Sequence, residues 1–467
     1  MEDSRKHVII AGGGITGLTA AFFLQEEAQR TGKQITFTLI EGSSRLGGKI
    51  ETYEKDGFVI ERGPDSYLAR KSIMTELIEK VGLKDDIVPN NTGQAYILHE
   101  NKLHPIPEGA VMGIPTKLMP FVTTELFSWP GKIRAGADLV MPKRKNVNDD
   151  ISVGHFFKRR LGTEAVERLI EPLLSGIYAG DIDKISLKAT FPQFHETEKK
   201  SRSLILGMKK LQPSSSKTHK KAAQFRTLKH GLSSFIEALA KSLPQEQVWL
   251  EKKVVSLEKG ENGKLHAELN DGSIVSGDAV ILTTPYAITK TLLPDRVLPD
   301  AFHETTPTSV ATVAMVFPKK SINLQHEGTG FVVARNEDYT ITACTWTDRK
   351  WPHTAPEDKV LIRCYVGRAD EQDIVFEEDE VILNKVLADL KKSMGISVKP
   401  EFYLVSRLVQ SMPQYDVGHK EKVAELRERL EKQLPGVHVA GAPYDGVGLP
   451  DCIASAKMMV NSIVDKS

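Results

Sequence analysis

The chain has 467 residues, 40% hydrophobic and 26% charged, with 35 Gly and 24 Pro; this length predicts two or three lobes, each with its own core, and the composition excludes long disorder. Lys and Arg number 62 against 61 Asp and Glu, so there is no global field to draw in nucleic acid or an anionic membrane. Cys344, Cys364 and Cys452 are an odd number at wide spacing, which fits neither a disulfide framework nor a zinc knuckle and predicts a reducing, cytoplasmic compartment. Met1 to Lys6 leads straight into a strand pattern without a signal-peptide core. No stretch approaches the roughly 20 apolar residues that a membrane-spanning helix needs.

His7 to Ala11 is a short apolar run ending at the cluster Gly12-Gly13-Gly14-Ile15-Thr16-Gly17, and Ile15 to Gln25 carries apolar residues at helical spacing. Strand, tight turn and helix thus follow one another. Thr36 to Ile40 is a second strand that ends on an acid, Glu41, about two dozen residues beyond Gly17, the spacing of a dinucleotide-binding βαβ unit. From Thr92 to Pro142, prolines interrupt apolar residues such as Phe121, Phe127 and Trp129, which predicts an irregular lobe. Ile151 to Ile177 is helical again, with Val153, Phe156, Phe157, Leu161 and Val166 on one face, and the helical pattern continues to about Leu206. Leu211 to Ala223 is polar and basic, as in a surface loop. Val254-Val255, the hairpin signal Asn270-Asp271-Gly272 and the buried run Ala279 to Leu282, ending in Thr283-Thr284-Pro285, mark a strand-rich stretch. A second runs from Ser309 to Phe317, through Ala343-Cys344-Thr345 and Val360 to Val366. Glu421 to Gln433 is a charged helix, Val437 to Ala440 a strand, and the final helix is expected to start near Asp451.

In this setting Gly12 permits the tight turn, Gly14 lets the backbone approach a pyrophosphate, and Gly17 lets the helix pack closely on the sheet. The phosphates then lie at the helix N-terminus, where unpaired N–H groups favour anions. An ordinary glycine-rich loop before a helix is the alternative, and the flanking strands with their terminal acid argue against it. Glu41 is placed to accept from ribose hydroxyls, and its charge disfavours a 2′-phosphate, which points to FAD or NAD over NADP. Gly42-Ser43-Ser44-Arg45-Leu46-Gly47-Gly48-Lys49 follows at once. Arg45 can lie against the pyrophosphate while the Gly pair admits the cofactor, which favours FAD; the alternative is a surface turn with a solvated Arg.

With these motifs the chain resembles the FAD oxidases and desaturases that include monoamine oxidase, phytoene desaturase and protoporphyrinogen oxidase. Glu61-Arg62-Gly63-Pro64-Asp65-Ser66, Glu171 to Asp181 (EPLLSGIYAGD), Arg202-Ser203-Leu204, Met412-Pro413-Gln414-Tyr415 and Gly446-Val447-Gly448-Leu449-Pro450-Asp451 look like the porphyrinogen oxidase branch. Their wording is nearest to its Gram-positive, coproporphyrin-forming members. The resemblance implies FAD contacts at Gly12, Gly13, Gly14, Ile15, Thr16, Gly17, Ile40, Glu41, Arg45, Gly48, Gly63, Pro64, Asp65, Ser66, Val254, Gly448, Leu449 and Pro450. The last helix would point its positive end at the flavin pyrimidine ring, favouring the anion formed on reduction; a strand-to-helix turn that needs Gly only for packing is the alternative. Where the family carries an aromatic after Arg407 this chain has Leu408, which is therefore left out of the site.

For the substrate, the resemblance implies Lys71, Gly176 and Tyr365. Lys71 is otherwise a solvated lysine at a helix start, Gly176 part of a packing turn, and Tyr365 a core tyrosine. A porphyrinogen carries propionates, so its pocket should combine apolar walls with a few cations or backbone donors. The implied reaction is six-electron oxidation of coproporphyrinogen III to coproporphyrin III in haem biosynthesis, with protoporphyrinogen IX as a second substrate. Each of three cycles moves a hydride to the flavin, releases a pyrrole proton and ends in reoxidation by dioxygen to hydrogen peroxide. No catalytic side chain stands out, because the flavin carries the redox chemistry.

The fold class expected is α/β (α+β), of the amine-oxidase/PHBH-like kind: a Rossmann-like FAD-binding domain of discontinuous segments (1–85, 224–290 and 425–467), a mixed-sheet substrate-binding domain (86–110 and 291–424), an inserted helical lobe (111–206) and a surface loop (207–223). The substrate is expected where these lobes meet. The Pro-broken region from Ala110 to Met141 reads either as an internal substrate wall or as a shallow membrane contact, so a cytoplasmic protein with peripheral membrane association is one outcome. A coproporphyrin-forming enzyme would hand its product to a ferrochelatase, which makes a transient contact with one an expectation. No metal is expected: His99, His104 and His419 lack ligand spacing, and there is no HExxH or CxxC. Lys143-Arg144-Lys145 reads as a solvated loop, and no nucleic acid partner is expected. Two other functions fit the dinucleotide motif: an amine or carotenoid flavin oxidase of the same fold, and a non-enzymatic binding protein resembling the Rab dissociation inhibitors.

Overall fold

Successive side chains of strand Lys6–Ala11 point to opposite faces, and both faces are apolar. Val8 and Ile10 enter one core, Ile9 and Ala11 another, and none of the four is more than 1% exposed. A strand buried on both sides belongs in a parallel sheet covered above and below. It is the middle of five parallel strands in the order Val248–Trp249, Ile35–Ile40, Lys6–Ala11, Ala279–Leu282, Val437–Val439. Helices Ile15–Thr31, Ser233–Lys241 and Leu449–Asp465 cover one face through Leu18, Phe235 and Ile453. The three antiparallel strands Val254–Lys259, Leu265–Leu269 and Ile274–Gly277, with helix His419–Gln433, cover the other through Leu257, Ala267 and Leu426. The hairpin turn expected at Asn270-Asp271-Gly272 is present: Gly272 has φ 81° and donates its N–H to the Leu269 carbonyl at 2.9 Å.

The computed structural model describes residues 6–91, 93–211, 223–299, 302 and 306–465. The chain divides into two units, and the sheet above belongs to the first, Met1–Asn90 with Gln224–Thr305 and Glu421–Ser467; the second is Asn91–Ala223 with Thr306–Lys420. The first unit is therefore assembled from three separate stretches of chain.

The second unit is built on a seven-stranded mixed sheet, in the order Phe402–Met412, Thr308–Pro318, Lys359–Val366, Ile341–Trp346, Gly330–Val333, Ala95–His99, Lys102–Pro105. All neighbours are antiparallel except Gly330–Val333 with Ala95–His99. Helix Asp379–Met394 seals one face with Ile382, Val386 and Leu390. The helices expected over 111–206 belong to this same unit. Among them a π-helical stretch, Val166–Ile170, runs directly into helix Glu171–Tyr178. Helix Leu204–Leu211 occupies the start of the stretch expected as a surface loop, and residues 212–222 of that loop lie outside the described residues.

A buried charge cluster ties these helices together. Arg160, 0% exposed, donates to Glu198 Oε1 at 2.7 Å, to the Arg202 carbonyl at 2.9 Å and to Asp138 Oδ1 at 3.3 Å. Asp138 Oδ2 accepts from Ser203 Oγ at 2.7 Å and from the Ile205 N–H at 3.0 Å, at the start of helix Leu204–Leu211. Arg144 completes the neutralisation of Glu198 at 2.8 Å and, with Arg160, holds its carboxyl below the usual range despite burial, which acts in the opposite direction. Removing one partner strands uncompensated charge in a dry site. Arg160→Met is expected to lower the unfolding free energy by about 3–5 kcal/mol, measured by urea denaturation; a loss below 1 kcal/mol would show that the two acids are neutralised without Arg160.

Candidate functional site

Parallel strands send their carboxyl ends to one edge, and there this chain makes its turns. Strand Lys6–Ala11 delivers Gly12, strand Ile35–Ile40 delivers Glu41, strand Ala279–Leu282 delivers Thr283, and strand Val437–Val439 delivers Gly441. Thr283 was not singled out by its residue type, yet its hydroxyl donates to both the Ala11 and the Gly12 carbonyls at 2.9 Å and closes the first turn. Its position at the end of a buried strand was the only signal available in the sequence.

The glycines of this turn have separable jobs. A Cβ on Gly17 would stand 1.9 Å from the Gly12 carbonyl oxygen, so helix Ile15–Thr31 can lie against the strand end only with hydrogen at that position. A Cβ on Gly14, by contrast, meets nothing within 4 Å. Gly14 is the N-cap, with φ −70° and ψ −179°, and it borders open space at the positive end of the helix. Ile15 and Thr16 form the buried first turn behind it.

Glu41 stands beside that opening, following the buried Ile40. Its Oε2 accepts the Gly13 N–H at 2.6 Å and its Oε1 accepts from Ser43 N and Oγ at 2.8 and 2.7 Å. The chain from Trp249 onward runs alongside: Glu41 N–H donates to the Trp249 carbonyl, and Lys252 N–H to that of Glu41. Val254, two residues on, packs its side chain into the core at the start of its strand.

Arg45 folds back over the Gly47-Gly48 turn. Its guanidinium donates to the carbonyls of Gly48 at 2.7 Å and Ile50 at 3.0 Å and pairs with Glu51 at 3.2 Å. Gly47 N–H reaches the Gly13 carbonyl at 2.9 Å, which brings this turn against the first one. Gly63 lies on the same segment: a Cβ there would be 1.8 Å from the Lys49 carbonyl oxygen, so Gly63-Pro64 passes the turn backbone to backbone. Ser66 Oγ then donates to Asp65 Oδ1 at 2.6 Å.

The last helix starts at Leu449, two residues before the expected point, and Gly448 accepts from the N–H groups of Asp451 at 2.9 Å and Cys452 at 3.0 Å. Leu449 and Pro450 are buried. Cys452 lies under the first turn and meets the Thr16 hydroxyl, and burial pushes its thiol up to about 11, so it is a neutral packing group at neutral pH rather than a thiolate. Through this contact the N-termini of the first and last helices open at the same place. Lys71, just before helix Ser72–Lys80, forms an ion pair with Asp451 and so joins the Gly448 turn.

Of the sequence-predicted cofactor residues, Gly12 to Gly17, Glu41, Arg45, Gly48, Gly63 and Gly448 to Pro450 are linked at one edge of the first unit, with Lys71, while Val254 packs into the core and Asp65 and Ser66 bond to each other. Gly176 and Tyr365 belong to the second unit. Gly176 is an exposed position of helix Glu171–Tyr178, and a Cβ there meets nothing within 4 Å. Tyr365 is half-buried in strand Lys359–Val366, with the Arg363 guanidinium 5.2 Å from its ring centre. Among the described residues no group of three His, Cys, Asp or Glu side chains is arranged to hold a metal ion, and no helix is long and apolar enough to cross a membrane.

The model of the family described as flavin containing amine oxidoreductase matches residues 15–464. The chain belongs to that family. Among flavin-containing amine oxidoreductase relatives, the coproporphyrinogen III oxidase of Bacillus subtilis (strain 168) is 51% identical over 99% of this chain and 98% of its own. That of Staphylococcus aureus is 44% identical over 98% and 99%. The crystal structure of a candidate protoporphyrinogen oxidase from Exiguobacterium sp. 255-15 superposes with a TM-score of 0.90 at 45% identity, covering 99% of this chain and 100% of that one. A putrescine oxidase variant shares the fold at a TM-score of 0.69 and 14% identity, over 99% of each chain. The fold is therefore that of the family, a discontinuous Rossmann-type dinucleotide-binding region combined with mixed sheets.

Gly17→Ala and Gly14→Ala separate packing from the open space. Gly17→Ala is expected to cost about 1–3 kcal/mol or more, because strand and helix must part to admit the methyl group. Gly14→Ala in the cofactor-free protein should stay within about 0.5 kcal/mol of the parent. Thermal unfolding of both apoproteins is the check, and equal losses would contradict the assignment of open space to Gly14.

Proposed function

We propose that the protein is an FAD-dependent oxidase that converts coproporphyrinogen III to coproporphyrin III with dioxygen as acceptor, in haem biosynthesis. The observation that carries this reading is the 51% identity with the Bacillus subtilis coproporphyrinogen III oxidase along 99% of the chain. The residues at the sheet edge fit FAD. The converging N-termini at Gly14 and Gly448 suit a pyrophosphate and an electron-rich ring, and the Glu41 carboxylate suits ribose hydroxyls. In this reading the first unit binds FAD through Gly12 to Gly17, Ile40, Glu41, Arg45, Gly48, Gly63 to Ser66, the backbone of Val254, and Gly448 to Pro450. The substrate residues in this reading are Gly176 and Tyr365 of the second unit and, in the first, Lys71.

Bound FAD would supply the hydride acceptor and its reoxidation by dioxygen. The chain's own residues bind, orient and exclude water, and no side chain is assigned as an obligatory base. Protoporphyrinogen IX is a second substrate in this reading, supported by 29% identity with the chloroplastic protoporphyrinogen oxidase of Nicotiana tabacum. The protein is read as cytoplasmic. Leu118, Met119, Trp129 and Ile133, 66–73% exposed, offer an apolar surface for peripheral membrane contact.

The test is a paired anaerobic and aerobic assay of the purified protein with both porphyrinogens. Flavin bleaching without oxygen, then porphyrin and peroxide with it, is the expected result, with coproporphyrinogen III the faster substrate. Flavin that stays oxidised with both substrates would sink the assignment. Gly14→Ala should raise the FAD dissociation constant at least about tenfold, because a methyl group fills the space beside the N-terminus. Unchanged FAD affinity in that variant would remove the pyrophosphate from this edge.

A further inference from the structure

Lys71 and Asp451, 380 residues apart, form an ion pair within the first unit, and the start of the last helix is shaped around it. Asp451 lies in the first turn of helix Leu449–Asp465 and folds its carboxylate back over the residues that precede the helix. A Cβ on Gly446 would stand 2.7 Å from Asp451 Cβ, and one on Gly448 2.7 Å from Asp451 Oδ2, so these two glycines leave room for a carboxylate at the helix terminus. Lys71 Nζ donates to the other oxygen, Oδ1. The backbone brings Lys71 there: its N–H donates to the Leu68 carbonyl at 3.1 Å, and strand Tyr67–Leu68 pairs with Phe225–Leu228. Helix Ser72–Lys80, which follows, buries Met74, Leu77 and Ile78 in the same core as Ile453 and Met459 of the last helix.

The two side chains are 36% and 31% exposed, so the pair stands at the surface of the unit, at the helix end, and not in its core. The other acid of this segment, Asp445, is answered separately, by Arg427 at 2.7 Å and by the Ser455 hydroxyl. A carboxylate in the first turn stabilises a helix by offsetting the positive end of its dipole. That same carboxylate weakens the attraction of the terminus for any negative charge outside it. The helix needs only the acid for its own stability; the lysine cancels the field that the acid would cast on a ligand and restores the positive character of the terminus.

We propose that the Lys71–Asp451 pair sets the reduction potential of the bound flavin, the ammonium favouring and the carboxylate opposing the negative charge that the flavin gains on reduction. This rests on the reading in which Gly448 to Pro450 meet FAD and deepens it, giving Lys71 a role toward the cofactor besides the one toward the substrate. Two-electron reduction with uptake of one proton leaves the cofactor one unit more negative, and fixed charges beside it shift that equilibrium according to their sign. Changing the charge at this helix end by one unit is expected to move the equilibrium about tenfold, which is ~30 mV for a two-electron couple. The two members of the pair must therefore act in opposite directions. A pair that only tied the two segments together would be loosened in the same way from either side.

The test is an anaerobic titration of the FAD-loaded enzyme against redox dyes of known potential, with no porphyrinogen present. Lys71→Met leaves Asp451 unanswered and is expected to lower the midpoint potential by the tenfold shift given above. Asp451→Asn leaves the ammonium unanswered and should raise it by a similar amount. The double variant should return close to the parent, and Lys71→Arg, which keeps the charge, should match the parent. A partly exposed ion pair contributes little to stability, so these variants are expected to fold; Lys71→Gln is a second neutral replacement with the same expected shift as Lys71→Met. Shifts of the same sign in Lys71→Met and Asp451→Asn, or no shift in either, overturn the proposal. Opposite shifts in an enzyme that does not oxidise coproporphyrinogen III would overturn the functional reading and leave the role of the pair standing. Normal oxidation of coproporphyrinogen III with unshifted potentials in the variants would overturn the role of the pair alone, and a protein that neither carries nor takes up FAD would overturn both.

Discussion

The first unit depends on one close approach, the contact of the Gly17 Cα with the carbonyl of Gly12. With any side chain at that position the first helix would lie farther from the strand it follows, and its N-terminus would no longer stand over the carboxyl edge of the sheet. Because it does stand there, the unpaired N–H groups of its first turn face the same space as the ends of the neighbouring strands. The last helix inherits this position, since Cys452 and Gly441 both pack on Thr16. Two helix termini from opposite ends of the chain thus share one opening.

The charges around that opening are sorted by the same geometry. Positive partial charge lies at the helix termini near Gly14 and Gly448, and the Glu41 carboxylate is held beside the first of them by the Gly13 and Ser43 N–H groups. Arg45, with its guanidinium on turn carbonyls, stiffens the Gly47-Gly48 loop, and Lys71 balances Asp451 at the start of the last helix. In the proposed function, these charges are the electrostatic complement of a ligand with a phosphate middle and a hydroxylated sugar end.

The second unit applies a different rule. Its sheet is closed on one side by an apolar helix, and the helices from Leu118 to Leu211 are held by the Arg160 cluster. Buried ion pairs repay their desolvation poorly, so this cluster acts more as a register for helix placement than as a source of stability.

Much of the first unit was legible in the sequence because its constraints are local. Strand, turn, helix and terminal acid fall within the span from His7 to Glu41, and glycine is required there by contacts among near neighbours. The family motifs supplied the remaining cofactor residues, which enter the proposed function as FAD contacts. What the linear pattern left open were interactions between distant segments: Thr283 closing the Gly12 turn from some 270 residues away, Asp451 claiming the charge of Lys71, and helix where a loop was expected from residue 207. Arg363 is the sharpest case. In sequence it is one polar residue in an apolar strand, and only pairing with the strands of Thr312 and Thr345 decides which face it occupies. Local periodicity and backbone sterics therefore determined the dinucleotide fold and its glycine turns, whereas strand order and long-range packing, which no single segment encodes, decided which side chains meet.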